Sequence, residues 1–124
     1  MTVHFTDREL DVMAVLWSLE SATVAEVKER LDDDLAYTTV LSMLRILEEK
    51  GHIGHREDGK AYRYFARVGR EAAAESALGR LTSKIFGGSA ELMLNQMVTD
   101  RNLSREQLER LRDLMNERLG EEKP

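Results

Sequence analysis

The chain has 124 residues, 42% of them hydrophobic and 33% charged, with a formal net charge of -5; that suits one folded domain, or a small domain with an appendage, able to bury a core without disulfides or metals. The absence of cysteine removes disulfide scaffolds, thiolate nucleophiles and cysteine-based metal sites, and suits a cytoplasmic location. No apolar run approaches the roughly 20 residues that span a bilayer, and Met1 to Leu10 lack a signal-peptide pattern, so no membrane insertion is expected.

In chain order, Thr6 and Glu9 stand at capping-box spacing and predict the start of a first helix. Leu10, Met13, Ala14 and Trp17 recur at helical spacing and are expected to face inward. Thr23 and Glu26 repeat the capping signal before a short helix with Val24, Val27 and Leu31 inward. Asp32, Asp33 and Asp34 put three like charges side by side, which predicts a loop. A third helix is predicted from about Tyr37 to Lys50, stopped by Gly51 as an αL cap. Val40, Met43, Leu44 and Leu47 form its apolar face; Thr38, Ser42, Arg45 and Glu49 lie opposite.

The period then changes. His52 to Arg56 and Ala61 to Ala66 have strand character, with Tyr62, Tyr64 and Phe65 in the second run. Asp58-Gly59 between them is a hairpin signal, because glycine tolerates positive φ. After Gly69 the pattern is helical to the end. Ala74, Ala77, Leu78, Leu81 and Ile85 form one stripe, and Gly87-Gly88 interrupts it. Ser89 can cap a helix carrying Leu92, Leu94, Met97 and Val98. Ser104 and Gln107 open a last helix with Leu108, Leu111, Met115 and Leu119 on one face and a solvated Glu106–Arg110 pair. Gly120 to Pro124 are expected to fray. The predicted division is a first domain over residues 1–69 and a helical region over residues 70–124.

Three helices followed by a β-hairpin is the order of the winged helix-turn-helix, so the expected class is mainly α with a small hairpin. In that geometry the third helix reads the major groove. Thr38, Thr39, Ser42 and Arg45 are the candidate reading residues, since each can hydrogen-bond a base or phosphate. His55, Arg56, Lys60 and Arg63 lie on the hairpin, with Arg56, Lys60 and Arg63 the candidates for wing or phosphate contacts. The acidic total argues against a simple cationic binder, but its distribution does not. Ala36 to Arg70 hold seven basic and four acidic residues, or +3, which leaves -8 for the rest of the chain. Local potential governs phosphate binding more than the total does.

Other chemistries find little support. His52 and His55 are three apart, so a strand points them to opposite faces, and no metal site is expected. There is no glycine-rich phosphate loop, nucleophile–base pair or clustered acid pair, so neither an enzyme nor a cofactor is expected. Trp17 continues the first helix's stripe and reads as core.

These segments carry a resemblance. "ELDVMAVLW" at Glu9–Trp17, "TVAEVKERL" at Thr23–Leu31, "AYTTVLSMLRILEEKGHI" at Ala36–Ile53 and "GKAYRYFARV" at Gly59–Val68 resemble the penicillinase-repressor family, the BlaI/MecI/CopY-type winged-helix repressors. "SKIFGGS" at Ser83–Ser89 and "LSREQLERLRDLM" at Leu103–Met115 extend the match over nearly the whole chain. The resemblance implies a homodimer whose C-terminal helices interlock while two winged domains read a palindromic operator. It favours TACA/TGTA half-sites and targets such as β-lactamase genes. The apolar residues after Gly69 agree with the homodimer: Leu78, Leu81, Ile85, Phe86, Leu108, Leu111 and Met115 are the candidate dimerisation residues. The resemblance also implies a regulatory protease linked to a membrane β-lactam sensor, cutting at an Asn-Phe pair. The matching position here reads Asn95-Gln96, without the large apolar side chain, which counts against cleavage there. Copper sensing through C-terminal cysteines is excluded by their absence. The competing class is a winged-helix protein–protein module without DNA binding.

Overall fold

Side-chain caps set where the helices begin. In the computed structural model, which describes residues 3–31 and 34–122, helix α1 covers Asp7–Leu19. The Thr6 hydroxyl accepts the Glu9 N–H at 3.1 Å, and the Glu9 carboxylate accepts the Thr6 N–H at 2.8 Å. Thr23 and Glu26 make the same reciprocal pair at the start of α2, Val24–Arg30. Two otherwise unpaired N–H groups are satisfied at each helix start. Helix α3, Tyr37–Glu49, starts without a side-chain cap and ends at Gly51, whose φ of +82° suits the αL turn. The aspartate run lies partly outside the described residues, at Asp32 and Asp33; Asp34 is exposed non-helical chain.

Strands β1, Ile53–Asp58, and β2, Ala61–Ala66, pair antiparallel, from Ile53 opposite Ala66 to Asp58 opposite Ala61. The two-residue connection Gly59-Lys60 requires a positive φ, and Gly59 supplies +65°. A hairpin alone is marginal in water. This one gains a third strand segment, because Ala22 and Tyr64 exchange two backbone hydrogen bonds of 2.9 and 2.8 Å. The chain reaches Ala22 through Glu20, a non-glycine residue at φ 68°, ψ -43°. Gly54 leaves room for two side chains: a Cβ there would lie 2.6 Å from Arg67 Nε and 2.9 Å from Phe65 Cζ, so both would have to shift.

The core of this part joins α1, α2, α3 and the hairpin. Val12, Met13, Leu16, Val27, Val40, Leu44, Leu47 and Ile53 are its fully buried side chains. The expected face of α1 needs correction. Ala14 is exposed and Trp17 half-buried, while Val12, Val15 and Leu16 join Met13 inside. Because α1 packs against α2, α3 and β2 together, its buried arc is rotated from the single stripe the spacing suggested. Trp17 instead donates from Nε1 to the Val68 carbonyl at 2.8 Å, which fastens the exit from the wing.

Helix α4, Arg70–Lys84, follows. Ala73, not Ala74, is its buried residue, and the Ser76 hydroxyl donates to the Val3 carbonyl. Two compact units divide after Leu78. The second holds the end of α4, then α5, Ala90–Val98, and α6, Arg105–Glu121. Gly87 and Gly88, with φ of +57° and +86°, turn the chain between α4 and α5. Ser104 and Gln107 form the capping box of α6. Two details differ from expectation. Among the described residues the i,i+4 ion pairs along α6 are Arg105–Glu109, at 3.0 Å, and Arg118–Glu122, rather than Glu106–Arg110. Gly120 and Glu121 continue α6 rather than fraying, and Lys123 and Pro124 lie outside the described residues. Among the described residues, no helix is long and apolar enough to cross a membrane.

Candidate nucleic-acid interface

The two sides of α3 separate sharply. Val40, Leu44 and Leu47 are fully buried, while Thr38, Thr39, Ser42 and Arg45 are exposed. The buried side docks the helix on the core, so the polar side is fixed outward rather than free to roll. The helix therefore presents three short hydroxyl side chains near its start and a long cation one turn further on. Ile46 is also exposed, at 45%, on the edge of the same face.

The wing stands beside it. A groove of about 480 Å³ between α2, α3 and the hairpin is lined by Tyr37, Leu41, Arg45, His55, Lys60 and Tyr62 among others. It brings Arg45 of α3 and Lys60 of the hairpin turn to one cleft. Arg56 is exposed on β1. Arg63 is placed differently: its guanidinium lies against Ser21 and Glu26, and only 25% of its side chain is exposed. His55 links wing and helix. Its Nδ1 lies 2.6 Å from Glu48 Oε2, and its ring meets Tyr62 at 4.6 Å and Tyr64 at 5.6 Å. Glu48 is thus a wing fastener and not merely a charge that repels phosphate. Burial, and then the Glu48 carboxylate, push the Tyr64 hydroxyl above its usual range against the opposing effect of Arg45, so it stays neutral at ordinary pH.

Sequence reasoning missed Tyr37 and Tyr62, which are 51% and 48% exposed at the groove. Spacing alone hides them, since Tyr37 shares a helix face with the buried Val40 and Leu44, and Tyr62 a strand face with the buried Tyr64. His52 is buried with its ring 4.8 Å from Phe5, as core packing. Among the described residues no group of three or more His, Asp or Glu side chains is placed to hold a metal.

The other candidate set begins at Leu78, the last residue of the first unit, and continues in the second. Leu78, Leu81, Ile85 and Met115 are exposed, Ile85 at 68%, whereas Phe86, Leu108 and Leu111 are half-buried. Leu92, Met97, Leu114 and Leu119 are exposed as well. Leu114 was overlooked, although Leu111, Leu114 and Met115 have i, i+3, i+4 spacing that would have found it. The Asn95-Gln96 bond lies inside α5, and the Asn95 carbonyl accepts both the N–H and the hydroxyl of Thr99, at 3.0 and 2.9 Å.

Residues 5–117 match the family model described as penicillinase repressor. The chain belongs to the penicillinase repressor family. Within that family it is similar to the methicillin resistance regulatory protein MecI of Staphylococcus aureus, 22% identical over 94% of this chain and 97% of the relative. It is also similar to the transcriptional regulator BlaI of Mycobacterium tuberculosis, 43% identical over 52% of this chain and 49% of the relative. The solution structure of the DNA-binding domain of the repressor BlaI superposes with a TM-score of 0.51 and 28% identity, covering 58% of this chain and 93% of that domain. The winged helix is thus the family's fold.

Proposed function

We propose that this penicillinase repressor family member is a transcriptional repressor that binds operator DNA as a homodimer in the cytoplasm. The outward polar face of α3 carries the reading: Thr38, Thr39, Ser42 and Arg45 are placed to meet base edges and phosphates in the major groove. Arg56 and Lys60 on the wing hold the neighbouring backbone. Two copies joined through the second unit suit a palindrome, because a two-fold axis in the protein matches one in the operator. The exposed apolar residues Leu81, Ile85, Leu92, Met115 and Leu119 support that joining.

The single observation that carries the reading is the sidedness of α3, with its apolar face locked in the core and four hydrogen-bonding residues held outward in a chain of this family. Induction by a protease linked to a membrane sensor, cutting at Asn95-Gln96, would require α5 to unwind first. A gel-shift series at several salt concentrations tests the function, using a duplex that the full chain selects from a random pool. Affinity should fall steeply with salt, with a logarithmic slope of about -0.9 per phosphate contacted. Absence of salt-dependent affinity would favour the protein–protein module instead.

A further inference from the structure

Arg63 stands directly opposite Arg56 in the hairpin register. Like charges in that position repel and destabilise a strand pair, so something must offset them. The closer part of the offset comes from outside the hairpin. Arg63 Nε donates to the Ser21 hydroxyl at 3.2 Å, and Nη2 donates to the Ser21 carbonyl at 3.4 Å. The same Nη2 lies 3.1 Å from Glu26 Oε1, while Asp58 on β1 is more distant, at 3.8 Å from Nη1. Ser21 precedes α2 and Glu26 lies in its first turn.

Glu26 is itself immobilised. Its Oε1 also accepts the Thr23 N–H at 2.9 Å as half of the α2 capping box. The arginine therefore grips a carboxylate whose position is already fixed by a helix start. Only a planar guanidinium offers donors in a fork able to reach a hydroxyl, a carbonyl and a carboxylate together. The next residue, Tyr64, is the one that pairs with Ala22. The fork and this bridge thus fasten one stretch of β2 to one stretch of chain ahead of α2, and α2 packs on α3.

We infer that Arg63 is a positioning residue that locks the wing to the start of α2 through Ser21 and Glu26, and so sets where Arg56 and Lys60 stand relative to α3. This rests on the DNA-binding reading for its consequence, but not for its geometry. Arg56 reaches the same Ser21 hydroxyl only at 3.5 Å and from an exposed position, so the grip on Glu26 and the Ser21 carbonyl is what sets Arg63 apart from Arg56 and Lys60. The lock also gives an acidic residue, Glu26, a favourable part in binding a polyanion.

Glu26→Gln is the decisive variant. Glutamine still serves at the third helical position, so the capping box and the fold are kept, while the carboxylate facing Arg63 is lost. Electrostatics alone predicts that removing an anion beside the wing strengthens DNA binding. The lock predicts the opposite: with the full chain and its selected duplex, affinity falls about fivefold and the salt slope shrinks by about one, although Glu26 has no phosphate contact to lose. Arg63→Lys, which keeps the charge but not the fork, should weaken binding to a similar degree. Without DNA, amide exchange at Ala22 and Tyr64 should quicken in Glu26→Gln. Equal or tighter DNA binding by Glu26→Gln, wild-type affinity in Arg63→Lys, or unchanged exchange at Ala22 and Tyr64 would each overturn the lock. If the wild-type chain binds no duplex, the repressor reading falls, and the exchange measurement alone decides the lock.

Discussion

The two units solve the problem of apolar surface in opposite ways. The first, ending at Leu78, holds every buried hydrophobic side chain of the described residues, from Phe5 to Ala73. The second has no buried residue among those described, yet exposes Leu81, Ile85, Leu92, Leu94, Met97, Leu114, Met115 and Leu119. Exposed apolar surface on this scale often marks an interaction site. Under the proposed function the contrast becomes a division of labour: a self-sufficient unit that presents α3, and a unit that is completed by association. In the proposed homodimer, the second unit converts two weak half-site contacts into one tight complex.

The comparison can be broken at its weakest point first. Ile85→Glu puts a charge on the most exposed of these apolar residues and should leave the winged unit folded. It should reduce the sedimenting mass to that of one chain and lower operator affinity about a hundredfold. Sedimentation still at twice the chain mass would show that the seam lies elsewhere. Leu44→Ala acts on the other side of the contrast. It hollows a fully buried position of the winged core and should cost about 3 kcal/mol, read as a lower urea midpoint. Arg45→Ala should weaken operator binding by about 2 kcal/mol, roughly thirtyfold, without changing the sedimenting mass. Unchanged affinity would remove Arg45 from the reading face.

The smallest effect concerns pH. Burial raises the Glu9 carboxyl, but the hydrogen bond from Lys50 at 2.8 Å, the Thr6 N–H and the Lys50 charge together hold it below its usual value. A depressed folded-state value stabilises the fold above the unfolded value. That stability is lost as pH falls below about 4.5 and through the folded value. Glu9→Gln, which keeps the capping box, should cost about 1 kcal/mol at neutral pH, and the difference from wild type should vanish in acid. A gap that persists at low pH would mean that the charge on Glu9 is not its source.

Much of the fold was legible because its signals are local. The capping boxes at Thr6, Thr23 and Ser104, the glycine stop at Gly51 and the hairpin turn at Gly59, which falls at Gly59-Lys60 rather than Asp58-Gly59, each depend on residues within a few positions of one another. The sidedness of α3 was equally legible, since one helix face decides it. What was not legible is set by distant partners. The rotation of α1 follows from three elements packing on it at once. Lys50 meets Glu9 across 41 residues and Trp17 meets Val68 across 51. Likewise Arg63 reads as one more wing cation in the sequence, and only the fold brings Ser21 and Glu26 to its guanidinium. Periodicity also understated α6, where Leu114 widens the apolar face beyond the stripe through Leu111 and Met115.

The most direct measurement is the salt dependence of DNA binding by the full chain and by its Ile85→Glu variant on the same selected duplex. In the proposed homodimer each winged unit contributes its own phosphate contacts, and the second unit only their pairing. The wild type should therefore show about twice the logarithmic salt slope of the variant. Equal slopes, or no salt dependence in either, would contradict the division of reading and pairing between the two units.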